Sequence, residues 1–243
     1  MSVYRYDPHV HTAETSSCGW MPASHVADLY HAHGFAGFAV TDHLHEAYIR
    51  SLECPNDWEK CMEHFLTGYR IAKARGDALG MHVLLGVEIR FPENDSDYLL
   101  YGLDEAFLMA NPYLHRLGHE AFFSKYGDQL LIVHAHPYRN GNRVVFDACV
   151  HGVEVVNGNM RHRNDNALAS ALCARNGRLY RMCGSDTHRP GDEAHAWVDF
   201  SEPVSDSFAF KALVEKGAYR LGSDYDPALI AAANAHLEAN ARA

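Results

Sequence analysis

The sequence lacks the marks of several large protein classes. No stretch approaches the ~20 apolar residues that a membrane span requires, and the opening segment MSVYRYDPHVH has neither an apolar signal core nor a small-residue cleavage site. A cytoplasmic protein with no membrane partner is the resulting expectation. The six cysteines, Cys18, Cys54, Cys61, Cys149, Cys173 and Cys183, include no C-x-x-C pair. That argues against a zinc finger or a thioredoxin-type motif, and reduced thiols suit a cytoplasm. Neither the dinucleotide fingerprint nor the P-loop occurs, so no nucleotide cradle is signalled. Positive charge is scarce: 21 Lys and Arg stand against 31 Asp and Glu, a formal charge of −10. Such a chain is poorly suited to holding long nucleic acid or a membrane surface non-specifically. Repeats and low-complexity linkers are also missing.

What is present is ordinary in bulk and unusual in one residue. The 243 residues are 47% hydrophobic and 21% charged. This suits one soluble domain over residues 1–243, with 227–243 as a closing helix or tail. Eighteen histidines are the surplus. Short apolar runs predict strands over 4–9, 35–40, 82–89, 98–103, 130–134, 153–156 and 179–183. Between them, helical spacing predicts helices over 22–33, 58–75 (stopped by Gly76), from 104, and over 119–126, 164–176 and 208–216 (stopped by Gly217). Apolar strands alternating with helices predict an α/β fold with a parallel sheet covered on both faces. Seven such units favour a barrel over an open sheet.

The polar residues fall at the strand ends. After the first strand come His9 and His11, and after the second Asp42 and His43. Glu88 ends the third and Asp104 follows the fourth. His134 and His136 follow the fifth, Asn157 the sixth, and Asp186 and His188 the seventh. In barrels that face carries the active site. On an extended segment residues i and i+2 share a face, so His9 and His11 can grip one ion, and Asp186 with His188 can do so from the other side. Glu88, with two oxygens, can bridge two ions. Imidazole with carboxylate suits Zn, Fe or Mn. One H-x-H pair can be structural, and T-D-H can be a helix cap. Several clusters at successive strand ends are harder to explain that way, because buried imidazoles and carboxylates are costly without a partner. Eleven other histidines, at 25, 31, 33, 45, 64, 115, 119, 151, 162, 195 and 236, read as surface or packing residues.

The ordered set H-V-H (9–11), T-D-H (41–43), G-V-E (86–88), H-P (136–137) and S-D-T-H (185–188) resembles the PHP family, the domain named for polymerases and histidinol phosphatases. The segments F-L-T-G-Y-R, V-E-I-R-F, Y-L-L-Y-G-L-D-E-A-F-L and H-P-Y-R-N-G resemble a stand-alone bacterial branch of it. The resemblance implies a distorted (β/α)7 barrel and a cluster of two to three divalent ions. It implies His9, His11, Glu88 and Asp186 on the first ion, Glu88 and His136 on the second, and His43 and His188 on the third. Trinuclear members carry a further His or Asp about six residues beyond H-x-H, where this chain has Ser17, so Glu14 or Cys18 stands in. Some members carry a His after the fourth strand, where Asp104 is the nearest candidate. His134, on the same face as His136, is a neighbour of the ligands or a ligand itself.

A metal cluster without redox ligands points to hydrolysis, and here to a phosphoesterase acting on a small phosphorylated substrate. Asp186 or His188 would shuttle the proton as catalytic residues, and Arg90, Arg139, Arg161 and Arg163 are the candidates for phosphate. An amidohydrolase-type C–N hydrolase is the alternative, although such barrels commonly use a bridging lysine after strand four that YLLYGLDE does not supply. A non-catalytic metal-binding module and an exonuclease on a short nucleotide are further alternatives. Substrate, metal and oligomeric state stay open at this point.

Overall fold

The computed structural model describes residues 2–142 and 147–241. In chain order the elements are β1 (Tyr4–Val10), α1 (Ala23–Ala32), β2 (Gly37–Val40), β3 (His43–Leu44), α2 (Glu46–Ser51), α3 (Trp58–Phe65), α4 (Thr67–Leu79), β4 (His82–Leu85), β5 (Val87–Arg90) and β6 (Asp97–Tyr101). There follow α5 (Glu105–Ala110), α6 (His119–Tyr126), β7 (Leu131–His134), β8 (Gly152–Asn157), α7 (Asn166–Arg175), β9 (Tyr180–Gly184), β10 (Ala196–Phe200), α8 (Ser207–Glu215), β11 (Tyr219–Ser223) and α9 (Pro227–Ala241). Helix α9 forms from the Ala-rich segment after Pro227. Among the described residues no helix is long and apolar enough to cross a membrane.

The strands form two sheets, ordered β11-β10-β1-β2-β4 and β3-β5-β6-β7-β8-β9. They meet where Val10 bridges Thr187 in parallel, and where the chain passes from β4 to β5 through Gly86. That junction positions the site. Apolar side chains from both sheets, among them Tyr6, Tyr98, Tyr101 and Phe200, share one buried core with Phe210 of α8. A second cluster lies under α1, which buries Ala23, Val26, Ala27 and Tyr30 on one face against Phe38 and Val83. Each large side chain so buried contributes about 1.5–3 kcal/mol of transfer free energy.

Several expectations change. The sheet is not all parallel: β6 runs antiparallel to β5 and β7. The 91–96 connection is too short for a helical crossover, so the chain returns directly. The predicted strand 82–89 breaks at Gly86. Its first half pairs with β2, and its second with β3 and β6. The predicted helix 58–75 divides at Leu66, and its second part runs past the buried Gly76 to Gly80, where a φ of 75° ends it. Strands β10 and β11 were not expected. β10 pairs with β1 and β11 with β10, which extends the first sheet on the side away from β4.

Candidate metal centre

Three strands and two turns bring the side chains together. Strand β1 supplies His9, and His11 follows directly after its end; both are fully buried. Strand β3 pairs with β5 in a register that sets His43 opposite Glu88. The turn after β9 supplies Asp186 and His188, and the turn after β7 supplies His136. Asp186 and His136 have φ of 54° and 29°. Non-glycine residues held in this left-handed region are strained, and such strain clusters at functional sites. Here it is held by hydrogen bonds. The Asn159 amide donates to the Asp186 carbonyl at 2.9 Å, and the His136 N–H donates to Glu154 at 2.8 Å.

The side chains converge. His9 Nε2 lies 3.4 Å from Glu88 Oε1 and 3.3 Å from Asp186 Oδ1. His11 Nε2 lies 3.3 Å from Glu88 Oε2 and 3.3 Å from Asp186 Oδ1. His136 Nε2 is 3.0 Å from Glu88 Oε1, and His43 Nδ1 is 2.9 Å from Glu88 Oε2. Yet His9 Nε2, His11 Nε2, His43 Nδ1, Glu88 Oε2 and Asp186 Oδ1 are buried without a properly oriented hydrogen-bond partner. Atoms this close that do not bond one another are aimed at common points. Two ligands of a tetrahedral ion with bonds of about 2.0–2.1 Å sit about 3.3 Å apart. The donor set therefore fits divalent ions. Among the described residues, the groups able to hold one are His9–His11–Glu88, His9–His136–Asp186, His11–His43–His188 and His43–Glu88–Asp97.

The electrostatics agree. Burial opposes the charge on His9 and His43. For His9 the surrounding Asp186, Glu154 and Glu88 outweigh it, and for His43 chiefly Glu88 does, so both are held well above the usual imidazole range. His188 is pushed up to about 10 by Asp186 and its neighbours, again against burial. Burial likewise opposes ionisation of Asp186 and Glu88. Arg139, His9 and His188 hold Asp186 well below the carboxylate range, and His43 and His9 do the same for Glu88.

Around this lies a layer the sequence reading passed over. Glu154, buried on β8, receives His9 Nδ1 at 3.0 Å on one oxygen, and the His136 N–H (2.8 Å) and Asn157 Nδ2 (2.9 Å) on the other. A side chain on Gly184 would collide with the His9 Cβ at 2.5 Å, so β9 can approach β1 only as glycine. Asp42 takes no place in the cluster. It accepts from Thr12 N (2.8 Å), Thr12 Oγ1 (2.6 Å) and Ser16 Oγ (2.6 Å), and the Ser16 oxygen in turn accepts from His43 N at 3.1 Å. Asp7 accepts from Tyr30, Ser185 N and His9 N, and burial raises its carboxyl to about 6 against those bonds. The available signal for Glu154 was a lone acid inside the apolar run V-E-V-V.

Other expected site residues are distributed differently. Asp104 stands at the far end of the antiparallel β6 and caps α5 by accepting from Phe107 N at 2.8 Å. Glu14 also serves a helix end, its oxygens accepting from Ala23 N at 3.0 and 2.9 Å. The structure thus brings neither to the cluster. Cys18 does come to it, with its thiol against His43 and His188. His134 is buried behind His136, stacked on Tyr98 with ring centroids 4.8 Å apart, and burial lowers it to about 3. Arg139 reaches the centre: it donates to Asp186, to Asn157 at 2.9 Å and to Asn164 at 2.9 Å. Arg90 lies in a cleft of roughly 410 Å³ beside His136, paired with Asp97 at 2.8 Å. Arg161 forks onto Asp192, which also accepts from His188 N. Arg163, three-quarters exposed and paired with Asp165, is a surface residue away from the cluster.

No protein-family model and no curated protein matches the chain. Solved structures do. A two-domain protein of Bacteroides vulgatus ATCC 8482 containing a predicted PHP-like metal-dependent phosphoesterase aligns with TM-score 0.67 and 14% identity over 91% of this chain. The chain spans 65% of that protein's length. PsfC of Pseudomonas syringae PB-5123 aligns with TM-score 0.61 and 16% identity over 99% of this chain and 100% of its own. An amidohydrolase of Chromobacterium violaceum, solved with sulfate and no metal, aligns with TM-score 0.52 and 18% identity, covering 92% of this chain and 99% of its own. The chain has the PHP-like and amidohydrolase type of α/β fold.

Proposed function

We propose that the chain is a stand-alone PHP-family enzyme, a single-domain, cytoplasmic metal-dependent phosphoesterase of small phosphorylated molecules, using two to three divalent ions (Zn, Mn or Fe). One observation carries this reading: five buried nitrogen and oxygen atoms that have no hydrogen-bond partner and are spaced as ligands of shared ions. His9, His11, Glu88 and Asp186 would hold one ion, His136 with Glu88 a second, and His43 with His188 a third. Such ions supply Lewis acidity and a hydroxide available near neutral pH.

The protein's own residues do the rest. Glu154 keeps the His9 proton on Nδ1, so that Nε2 presents its lone pair. Arg139 neutralises Asp186 and ties it to the loop carrying Asn157 and Asn164. With only two ions bound, His188, at the rim and 8% exposed, would be free to give a proton to the leaving oxygen. Arg90 offers charge in the cleft beside His136. The C–N hydrolase reading is weaker. Of the five lysines, Lys60, Lys73, Lys125 and Lys211 face Asp57, Asp77, Tyr126 and Glu215, and Lys216 is exposed after α8, while Glu88 would serve as the bridging group.

The test is hydrolysis of a phosphomonoester panel, with an amide and lactam panel beside it, before and after chelation. Activity on phosphoesters that returns with Zn or Mn and vanishes in His9→Ala and Asp186→Ala is expected. Full activity in metal-free protein would overturn the reading.

A further inference from the structure

A cavity opens on the His43 side of the metal centre. We propose that it receives the leaving group of the substrate, and that this group is an uncharged alcohol bearing several hydroxyls, of the sugar or polyol class. This rests on the reading of the centre as a metal-dependent phosphoesterase, and adds which phosphoesters it takes.

The two oxygens of Glu88 divide the site. His136 meets Oε1 at 3.0 Å, and His43 meets Oε2 at 2.9 Å. His136 lines the cleft that holds Arg90 and Arg139, the charged side suited to phosphate. His43 lines a separate cavity of roughly 340 Å³, a size within the range of small-molecule sites. Its walls come from the loop after β1 and from β3, α2 and α3. Among its described lining residues there is no Asp, Glu, Lys or Arg. A charged leaving group would give up water there and meet no counter-ion.

The polar atoms of the wall specify the group further. The buried Tyr48 organises them through its N–H, its carbonyl and its hydroxyl. His45 Nδ1 accepts from Tyr48 N at 3.0 Å, so the ring proton sits on Nε2, which is left to donate. Ser51 Oγ donates to the Tyr48 carbonyl at 2.7 Å, so it can only accept a further bond. His64 Nδ1 lies 2.9 Å from the Tyr48 hydroxyl, which leaves His64 Nε2 for a ligand. The Ser17 hydroxyl, unengaged among the described residues, can do both. Donors and acceptors thus share one wall. A substrate hydroxyl gives one bond and takes another, and so meets both kinds, whereas a carboxylate only accepts and an ammonium only donates. Ala13, Ala47 and Leu52 add apolar surface for the carbon chain.

The test uses the full chain loaded with zinc or manganese and four phosphomonoesters: glucose 6-phosphate, glycerol 1-phosphate, methyl phosphate and phosphoglycolate. The two hydroxylated esters of neutral alcohols are expected to exceed the other two at least tenfold in kcat/KM. In His64→Leu, a change at an exposed position, KM for glucose 6-phosphate rises about two- to tenfold, as for one lost hydrogen bond, and the preference over methyl phosphate falls with it. Nitrogen-15 spectra of the histidines give a readout apart from turnover: the phosphonate analogue of glucose 6-phosphate moves the His45 and His64 resonances, and methylphosphonate does not. Equal turnover of methyl phosphate, a preference for phosphoglycolate, or His45 and His64 resonances that stay in place overturns the leaving-group assignment and leaves the phosphoesterase reading standing. So does turnover of other phosphomonoesters but none of these four. If no phosphomonoester is hydrolysed at all, the phosphoesterase reading falls and the assignment with it.

Discussion

Replacing Glu154 by glutamine tests the metal centre without touching a ligand. One Glu154 oxygen accepts two N–H groups, from His136 N at 2.8 Å and Asn157 Nδ2 at 2.9 Å. The other faces His9 Nδ1 at 3.0 Å. An amide NH₂ cannot face two donors, so the glutamine oxygen takes the first place and its NH₂ turns to His9. Nδ1 must then accept, which moves the imidazole proton to Nε2. That is the atom 3.3–3.4 Å from Asp186 and Glu88, and once protonated it cannot ligate. Loss of such an orienting group typically costs about 10–100-fold in metal affinity, or about 1.4–2.8 kcal/mol. The tautomer change places Glu154→Gln at the upper end. Competition against a chromophoric zinc chelator measures the affinity, nitrogen-15 spectra of the histidines report the tautomer, and circular dichroism checks the fold. A folded Glu154→Gln protein that binds zinc within twofold of the parent would refute this reasoning.

Two further predictions concern other parts of the site. Arg139→Lys keeps the charge but cannot reach Asp186, Asn157 and Asn164 together; losing one or two charge-assisted bonds at about 1.5–3 kcal/mol each lowers kcat/KM by about tenfold or more, and a value within twofold of the parent counts against the clamp. His134, lowered by burial to about 3, stays neutral in the folded chain while the unfolded chain takes up a proton near pH 6.5. Its contribution is therefore present above pH 6.5 and lost as pH falls, by about 2 kcal/mol at pH 5. Urea unfolding of the parent and His134→Phe at pH 7.5 and pH 5 should show that difference, and parallel losses in both proteins would contradict it.

Much of the centre was legible because metal ligands are constrained twice, by residue type and by strand position. His9, His11, His43, Glu88, His136, Asp186 and His188 were all placed at strand ends by alternation alone, and the structure gathers them. What failed was direction. Asp104 was assigned to the active face on the premise of parallel strands, and the short 91–96 return reverses β6. Its opening residue, Asp97, is the one delivered beside His43 and Glu88. Glu14 failed for another reason: a carboxylate near a helix start satisfies free N–H groups, and a spacing argument does not see that competitor. Arg161 was read as a phosphate ligand from its loop, but Asp192 is near only in the fold.

The passed-over Glu154 and Asp7 share a logic with the ligands. Glu88, Asp186, Glu154 and Asp7 are four carboxylates with almost no exposure, packed about one strand junction. Left alone, such charges would raise their own pKa values or break the fold. Asp7 does rise, to about 6, because only neutral donors face it. Glu88 and Asp186 do not rise, because imidazoles and Arg139 surround them. The same carboxylates hold the imidazoles of His9, His43 and His188 toward their charged form, and a divalent ion held by these atoms would take over that balance of charge. Histidine suits both tasks: the same side chain stabilises a buried carboxylate as a cation and presents neutral nitrogen to a metal, which neither lysine nor arginine can do.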